Sequence, residues 1–159
     1  MANIVIADAG PLIALSKIDC LTILKSLFSK VYVVESVINE CFAKSDLSKQ
    51  RIELAINDQW LIKCSPNRPE VNLSKSLGQG ETDSIYFALN DVKHALLILD
   101  DRLARRYALK NGLNIVGTVR VLVLAEKQGL INSAEECVKE MIETGYRVSL
   151  DLLFKIQSE

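Results

Sequence analysis

Two apolar runs in this chain end abruptly in carboxylates, Ile4-Val5-Ile6-Ala7-Asp8 and Leu97-Ile98-Leu99-Asp100-Asp101. Two other stretches carry acids at helical spacing. Glu40 lies beside a stripe of Val37, Ile38, Cys41 and Phe42, and Glu81 and Asp83 open a pattern continued by Ile85, Ala88 and Leu89. If the two runs are strands of one parallel sheet, Asp8, Asp100 and Asp101 fall beyond its carboxyl edge, where open α/β sheets bind ligands. Helices that follow parallel strands start on that same edge, which brings Glu40, Glu81 and Asp83 toward the same cleft. Carboxylates gathered with no lysine or histidine among them repel one another, and a raised pKa or a bound cation relieves the repulsion. An all-oxygen donor set suits Mg²⁺ or Mn²⁺ better than zinc. Such an ion polarises a phosphate and lowers the pKa of a bound water, so the chemistry indicated is attack on a phosphodiester.

Each acid taken singly has an ordinary structural role. Asp8 can form a turn, Asp100 can cap a helix, Glu81 and Asp83 can complement a helix dipole, and Glu40 can be a solvated helix residue. The joint pattern is harder to explain that way, because two strands of the buried type both end in Asp and two helices both place acids in the same neighbourhood. Arg102, Arg106 and Lys110 recur at helical spacing beside the acids. That stripe is a candidate track for RNA phosphates, and its spacing is equally that of a solvated charged face.

The elements that would position these residues follow from periodicity. Ile4, Val5 and Ile6 are consecutive β-branched residues with no polar alternation, as in a parallel strand buried on both faces. Gly10 and Pro11 then turn the chain into a helix, with Pro11 suited to a first helical position. Further strands are expected at 31–34, 60–64, 95–99 and 114–117. Helices are expected at 12–17, 21–28, 35–42, 46–57, 81–89, 101–111, 118–128 and 134–143, with Gly112 and Gly129 as C-terminal stops. Ser133 caps its helix with Glu136 in the capping-box position, and Ser149 is read as the cap of a last helix through Leu152, Leu153 and Ile156. Pro66, Pro69 and their polar neighbours mark 65–75 as a loop. Alternating strands and helices indicate an α/β fold, a three-layer α/β/α sandwich with a mostly parallel central sheet.

Length and composition set the remaining bounds. A chain of 159 residues supports one domain with a real core, here 1–159. The net charge of −1 supplies no global basic field, so binding to nucleic acid has to come from a local patch. No apolar run is long enough to span a bilayer and the start of the chain lacks a signal-peptide pattern, so a cytoplasmic protein with no membrane partner is expected. The four cysteines are scattered without metal-ligand spacing and are read as reduced thiols. The only histidine, His94, precedes a strand and is read as a surface residue, which leaves little basis for histidine-based hydrolysis.

With these motifs in view, the sequence resembles the PIN-domain nucleases, and among them the VapC-like toxins of toxin–antitoxin pairs. The resemblance covers nearly the whole chain. It is carried by Ile6-Ala7-Asp8-Ala9-Gly10-Pro11-Leu12-Ile13-Ala14-Leu15, Glu35-Ser36-Val37-Ile38-Asn39-Glu40, Gly80-Glu81-Thr82-Asp83-Ser84-Ile85, Leu99-Asp100-Asp101-Arg102-Leu103-Ala104-Arg105-Arg106 and Gly117-Thr118. It implies a Mg²⁺- or Mn²⁺-dependent endoribonuclease, commonly a homodimer, acting on RNA and restrained by a small antitoxin protein. The catalytic, metal-binding acids fall on Asp8, Glu40, Asp83 and Asp101, with Glu81 and Asp100 as neighbours able to take their places. Many relatives carry a hydroxyl residue two positions after the first Asp, where this chain has Gly10. A second hydrogen-bonding shell around the metal site would then come from Thr118 or Ser84. The competing reading is a PIN-like module that binds without cleaving. A phosphotransfer receiver needs paired acids after its first strand and a lysine after a late one, and a haloacid-dehalogenase-type phosphatase needs Asp-x-Asp where this chain has Asp8-Ala9-Gly10.

Overall fold

The computed structural model describes residues 4–44, 46–65, 76–91, 94–148 and 152. At its centre is β1 (Val5–Ala7), every residue of which is buried. On one side β1 pairs in parallel with β2 (Val31–Val34), and β2 with β3 (Leu61–Cys64). On the other side it pairs with β4 (Leu96–Ile98), and β4 with β5 (Asn114–Val116), again in parallel. The order is β3-β2-β1-β4-β5. The chain builds outward from β1 through β2 and β3, then returns across β1 to lay down β4 and β5. That reversal makes the gap between the carboxyl ends of β1 and β4 the topological switch point of the sheet, where a crevice opens.

Helices cover both faces of the sheet, which is why β1 reads as an unbroken apolar run. They are α1 (Ala9–Lys17), α2 (Ile23–Phe28), α3 (Glu35–Lys44), α4 (Asp46–Asn57), α5 (Gln79–Tyr86), α6 (Arg102–Lys110), α7 (Thr118–Lys127) and α8 (Ala134–Glu143). The fold is the α/β sandwich read from the sequence, with every described strand parallel. Ile6, Leu12, Leu15, Leu97, Ile98 and Leu122 are among its fully buried side chains.

Two boundaries differ from the sequence reading by as much as three residues. The first helix starts at Ala9, so Pro11 is its third residue; a missing N–H costs nothing there, because the first four amides of a helix have no intrahelical partner. The helix expected at 81–89 ends at Tyr86 and continues as a π-helical turn, Phe87–Asp91. Gly112 and Gly129 do stop their helices, at φ +77° and +75°, and Ser133 does accept from the Glu136 amide at 3.1 Å. None of the four cysteines is in a disulfide, and His94 is exposed. No helix among the described residues is long and apolar enough to cross a membrane. The loop expected at 65–75 and the helix expected after Ser149 lie outside the described residues, apart from Ser65 and Leu152.

Candidate active site

Asp8 is the first residue beyond β1. Its amide donates to the Ile98 carbonyl at 3.0 Å, which ties the end of β1 to the end of β4 and fixes where the side chain leaves the sheet. The residue is 6% exposed, and Oδ1 has no hydrogen-bond partner among the described residues. Burial pushes the Asp8 pKa up to about 8, with the charge of Glu81 adding to the rise, the Ala9 amide opposing it, and Glu40 and Asp100 contributing less. Asp8 lines a cleft of about 180 Å³ together with Glu40, Glu81, Asp100 and Asp101, floored by Ala9, Gly10, Pro11 and Ile13.

Glu81 and Asp83 are two positions apart on α5, and residues so spaced on a helix do not share a face. Glu81 takes the cleft face. One of its oxygens accepts from the Gly78 amide at 3.1 Å, closing the start of α5, while Oε2 is buried without a partner. Its pKa is raised, by burial first and then, against the Gly78 amide, by the charge of Asp101, by a proton-sharing approach of the Asp101 carboxyl, and by the charge of Glu40. Asp83 turns the other way. It is 1% exposed, and its carboxylate accepts from the Ser36 hydroxyl at 2.6 Å and from the Gln79 side-chain amide at 2.7 Å. Asp83 thereby couples α5 to α3, the helix that carries Glu40. Gly80 tightens the same joint: a β-carbon there would meet Val37 Cγ2 at 2.9 Å and Glu40 Oε2 at 3.4 Å.

The paired acids after β4 are also divided. Asp100 is held by both oxygens, accepting from the Thr118 amide at 2.8 Å and the Thr118 hydroxyl at 2.5 Å. The close approach needs Gly117, where a β-carbon would lie 3.2 Å from Asp100 Oδ1 and 2.9 Å from the Arg105 guanidinium. Asp101 spends one oxygen as the cap of α6, accepting from the Ala104 amide at 2.9 Å, and its side chain is exposed at the cleft. Of the two hydroxyl residues singled out from the sequence, Thr118 therefore orders one wall of the cleft through Asp100. The Ser84 hydroxyl is buried with no partner among the described residues.

The cleft thus gathers Asp8, Glu40 and Asp101 from the expected set, adds Glu81 and Asp100, and leaves Asp83 behind it. Among the described residues no three Asp, Glu, Cys or His side chains already converge as ligands of one ion. The donor set nevertheless suits a hard divalent cation: it is all oxygen, and two buried carboxylate oxygens, one on Asp8 and one on Glu81, have no hydrogen-bond partner among the described residues.

A second, larger cleft of about 580 Å³ shares Asp100 with the first. Arg102 and Arg106 line it, joined by Arg105 and Arg147; Lys110, at the far end of α6, is not on that wall. Arg105 was legible as the residue that falls with Arg102 and Arg106 on one helical face. Arg147 and Tyr146 carried no local signal, because only the docking of α8 brings them here.

Residues 4–159 match a family model, DUF3368, described as a PIN domain. Among solved structures, the chain is similar to the T. brucei RRP44 PIN domain, with a TM-score of 0.50 and 11% identity over 80% of this chain and 84% of that one. At that identity the likeness concerns the fold alone. No curated protein matches the chain.

Proposed function

This chain belongs to the PIN-domain family, and on that premise we propose that it is a Mg²⁺- or Mn²⁺-dependent endoribonuclease whose active site is the acidic cleft at the β1/β4 switch point. The observation that carries the proposal is the pair of buried, unpartnered carboxylate oxygens on Asp8 and Glu81 in one cleft with three more acids. Buried acceptors without donors are costly unless something else satisfies them. Asp8, Glu81, Glu40 and Asp101 would hold the cation, with Glu81 in the place that the family resemblance gives to Asp83. When bound, a divalent ion activates water and stabilises charge on the phosphate. The rest is done by the chain. Asp100, pinned by Thr118, and Asp83, pinned by Ser36 and Gln79, hold the sheet edge and the α3–α5 joint that orient the ligands. Without the ion, Asp8 keeps its proton near neutral pH, so loading the site releases a proton that can be counted.

The toxin role, a small antitoxin partner, a homodimer and a cytoplasmic location belong to the same proposal and rest on the VapC-like motifs. The test is cleavage of RNA by the purified protein in Mg²⁺ or Mn²⁺. Asp8→Asn, Glu81→Gln and Asp101→Asn are expected to abolish turnover, whereas Asp83→Asn loses about 10–100-fold, as for residues that orient ligands. Undiminished cleavage in excess chelator overturns the proposal. Metal binding without turnover favours the alternative, a PIN-like module that binds RNA without cutting it, and Gly10 in place of a hydroxyl residue is the feature that points that way.

A further inference from the structure

The larger cleft has a construction of its own. Arg102, Arg105, Arg106 and Leu109 lie at i, i+3, i+4 and i+7 along α6 and form one wall. The opposite wall is the strap that follows α8. Gly145, at φ +103°, reverses the chain there, and the Tyr146 amide donates to the Met141 carbonyl at 3.0 Å, so Tyr146, Arg147 and Val148 are set down against α6. Leu152 completes the apolar side. The Tyr146 hydroxyl is anchored in a neighbourhood of Asp100, Thr118 and Arg105, and burial, then the Asp100 charge, raises its pKa. Tyr146 also lines a third cleft, of about 220 Å³, with Gly10, Ile13 and Lys17, so its ring stands between that hollow and the arginine-lined one.

Among the described residues none of these four arginines forms an ion pair. Four guanidinium charges against the single carboxylate of Asp100 leave the hollow net positive, and an anion is the natural relief. Arginine with an aromatic ring and aliphatic side chains is the composition that binds unpaired nucleotides, through phosphate contacts and base stacking. A volume of about 580 Å³ lies within the about 300–1,000 Å³ usual for small-ligand sites. We propose that this cleft is a subsite for one unpaired nucleotide of the RNA strand flanking the cut, its base laid on Tyr146 and its phosphates held by Arg102, Arg105, Arg106 and Arg147. The subsite rests on the nuclease reading, since Asp100 is common to both clefts. It makes the enzyme selective for single-stranded over duplex RNA, because a base already stacked within a helix cannot reach the ring.

Binding is measured by fluorescence anisotropy in chelator, with fluorescein-labelled oligoadenylate and its duplex with oligouridylate as probes. Tyr146→Phe is expected to bind the single strand like the wild type, and Tyr146→Leu, which keeps bulk without an aromatic face, at least about fivefold more weakly. Duplex binding is unchanged in both. Arg102→Ala and Arg147→Ala each lower the slope of log Kd against log salt by about 0.7. Equal affinities of the Phe and Leu variants, or displacement of the single strand by an oligoglutamate peptide that binds more tightly with the same arginine dependence, overturns the subsite; the second result assigns the cleft to an acidic protein segment. Because binding is read without turnover, an inactive wild type that still shows the Tyr146 pattern overturns the nuclease reading and leaves the subsite standing. Metal-dependent cleavage with no Tyr146 effect on binding does the reverse.

Discussion

Asp8 and Asp83 are both carboxylates almost removed from solvent, 6% and 1% exposed, and they stand in opposite chemical situations. Asp83 is surrounded by donors, Ser36 and Gln79, supplied by two helices. Asp8 faces other acids, has one oxygen without a partner, and has a pKa pushed up to about 8. The same side chain is mortar in one place and an unmet demand in the other. Asp100 and Glu81 repeat the contrast: Thr118 occupies both Asp100 oxygens, whereas Glu81 has one oxygen in a cap and one without a partner. Where acids cluster, counting them does not separate ligand from scaffold, but accounting for each oxygen does.

The largest effect that separates the two kinds is on stability. An unfolded Asp titrates near 3.8 and the folded Asp8 near 8, so Asp8 contributes stability that is fully present below about pH 4 and is lost as pH rises through about 8. Asp8→Asn carries no such dependence. In chelator it is expected to exceed the wild type by about 2 kcal/mol or more above pH 8, in urea melts taken at several pH values. Asp83→Ala is expected to lose about 3 kcal/mol throughout that range, because two hydrogen bonds to a charged group vanish at a site where Asp83 itself is 1% exposed. Mg²⁺ or Mn²⁺ at ten times its Kd should stabilise the wild type by about 1.4 kcal/mol and the Asp8→Asn protein by much less. If both substitutions destabilise alike and metal shifts neither melt, the two carboxyls play one role and the contrast is void.

The sequence carried the sheet because β1 and β4 are largely buried, and burial on both faces leaves a short, β-branched or leucine-rich apolar run bounded by turn residues. It carried the acids after those strands for the same reason: the polar residue that ends such a run marks the sheet edge. The choice between Glu81 and Asp83 was harder, since it depends on how α5 is rotated against α3, and that rotation is set by the Gly80–Val37 approach across a long stretch of chain. The sequence reading sends both acids toward one cleft, although residues two apart on a helix do not share a face. Tyr146 and Arg147 could not be read as site residues at all, because their place depends on where α8 docks and on the turn at Gly145.

The joint that sets this rotation gives an intermediate effect. A β-carbon at Gly80 meets Val37 Cγ2 at 2.9 Å, with Val37 Cα at 3.6 Å and Glu40 close by, so the contact is not with the free end of a flexible side chain. Gly80→Ala is therefore expected to push α5 off α3 and to cost about 1–3 kcal/mol, the usual range for overpacking. Since Glu40 and Glu81 sit on the two helices being separated, metal affinity should fall with stability. A Gly80→Ala protein that melts like the wild type and binds Mn²⁺ as tightly would mean that the α3–α5 joint does not set the cleft.

Gly10 is the counterpart, a glycine at the cleft with empty space where Gly80 has contact. It is the second residue of α1, a β-carbon there would meet nothing within 4 Å, and its φ is not in the left-handed region. Nothing in the folded state requires glycine there, so Gly10→Ala should stabilise by about 0.5–1 kcal/mol through the lower entropy of the unfolded chain. Gly10→Ser gains somewhat less, since serine is a poorer helix former than alanine, but it puts a hydroxyl at the rim of a cleft where Asp8 has an oxygen without a partner. A hydroxyl donating to that carboxylate favours its charged form and lowers the raised pKa. The expected signature is an apo stability curve whose decline with pH is shallower for Gly10→Ser than for Gly10→Ala, together with tighter Mn²⁺ binding near neutral pH, where less proton has to be displaced. If serine and alanine give superimposable pH curves, the hydroxyl does not reach Asp8, and Gly10 is merely a tolerated loss of helix propensity rather than the missing donor of this site.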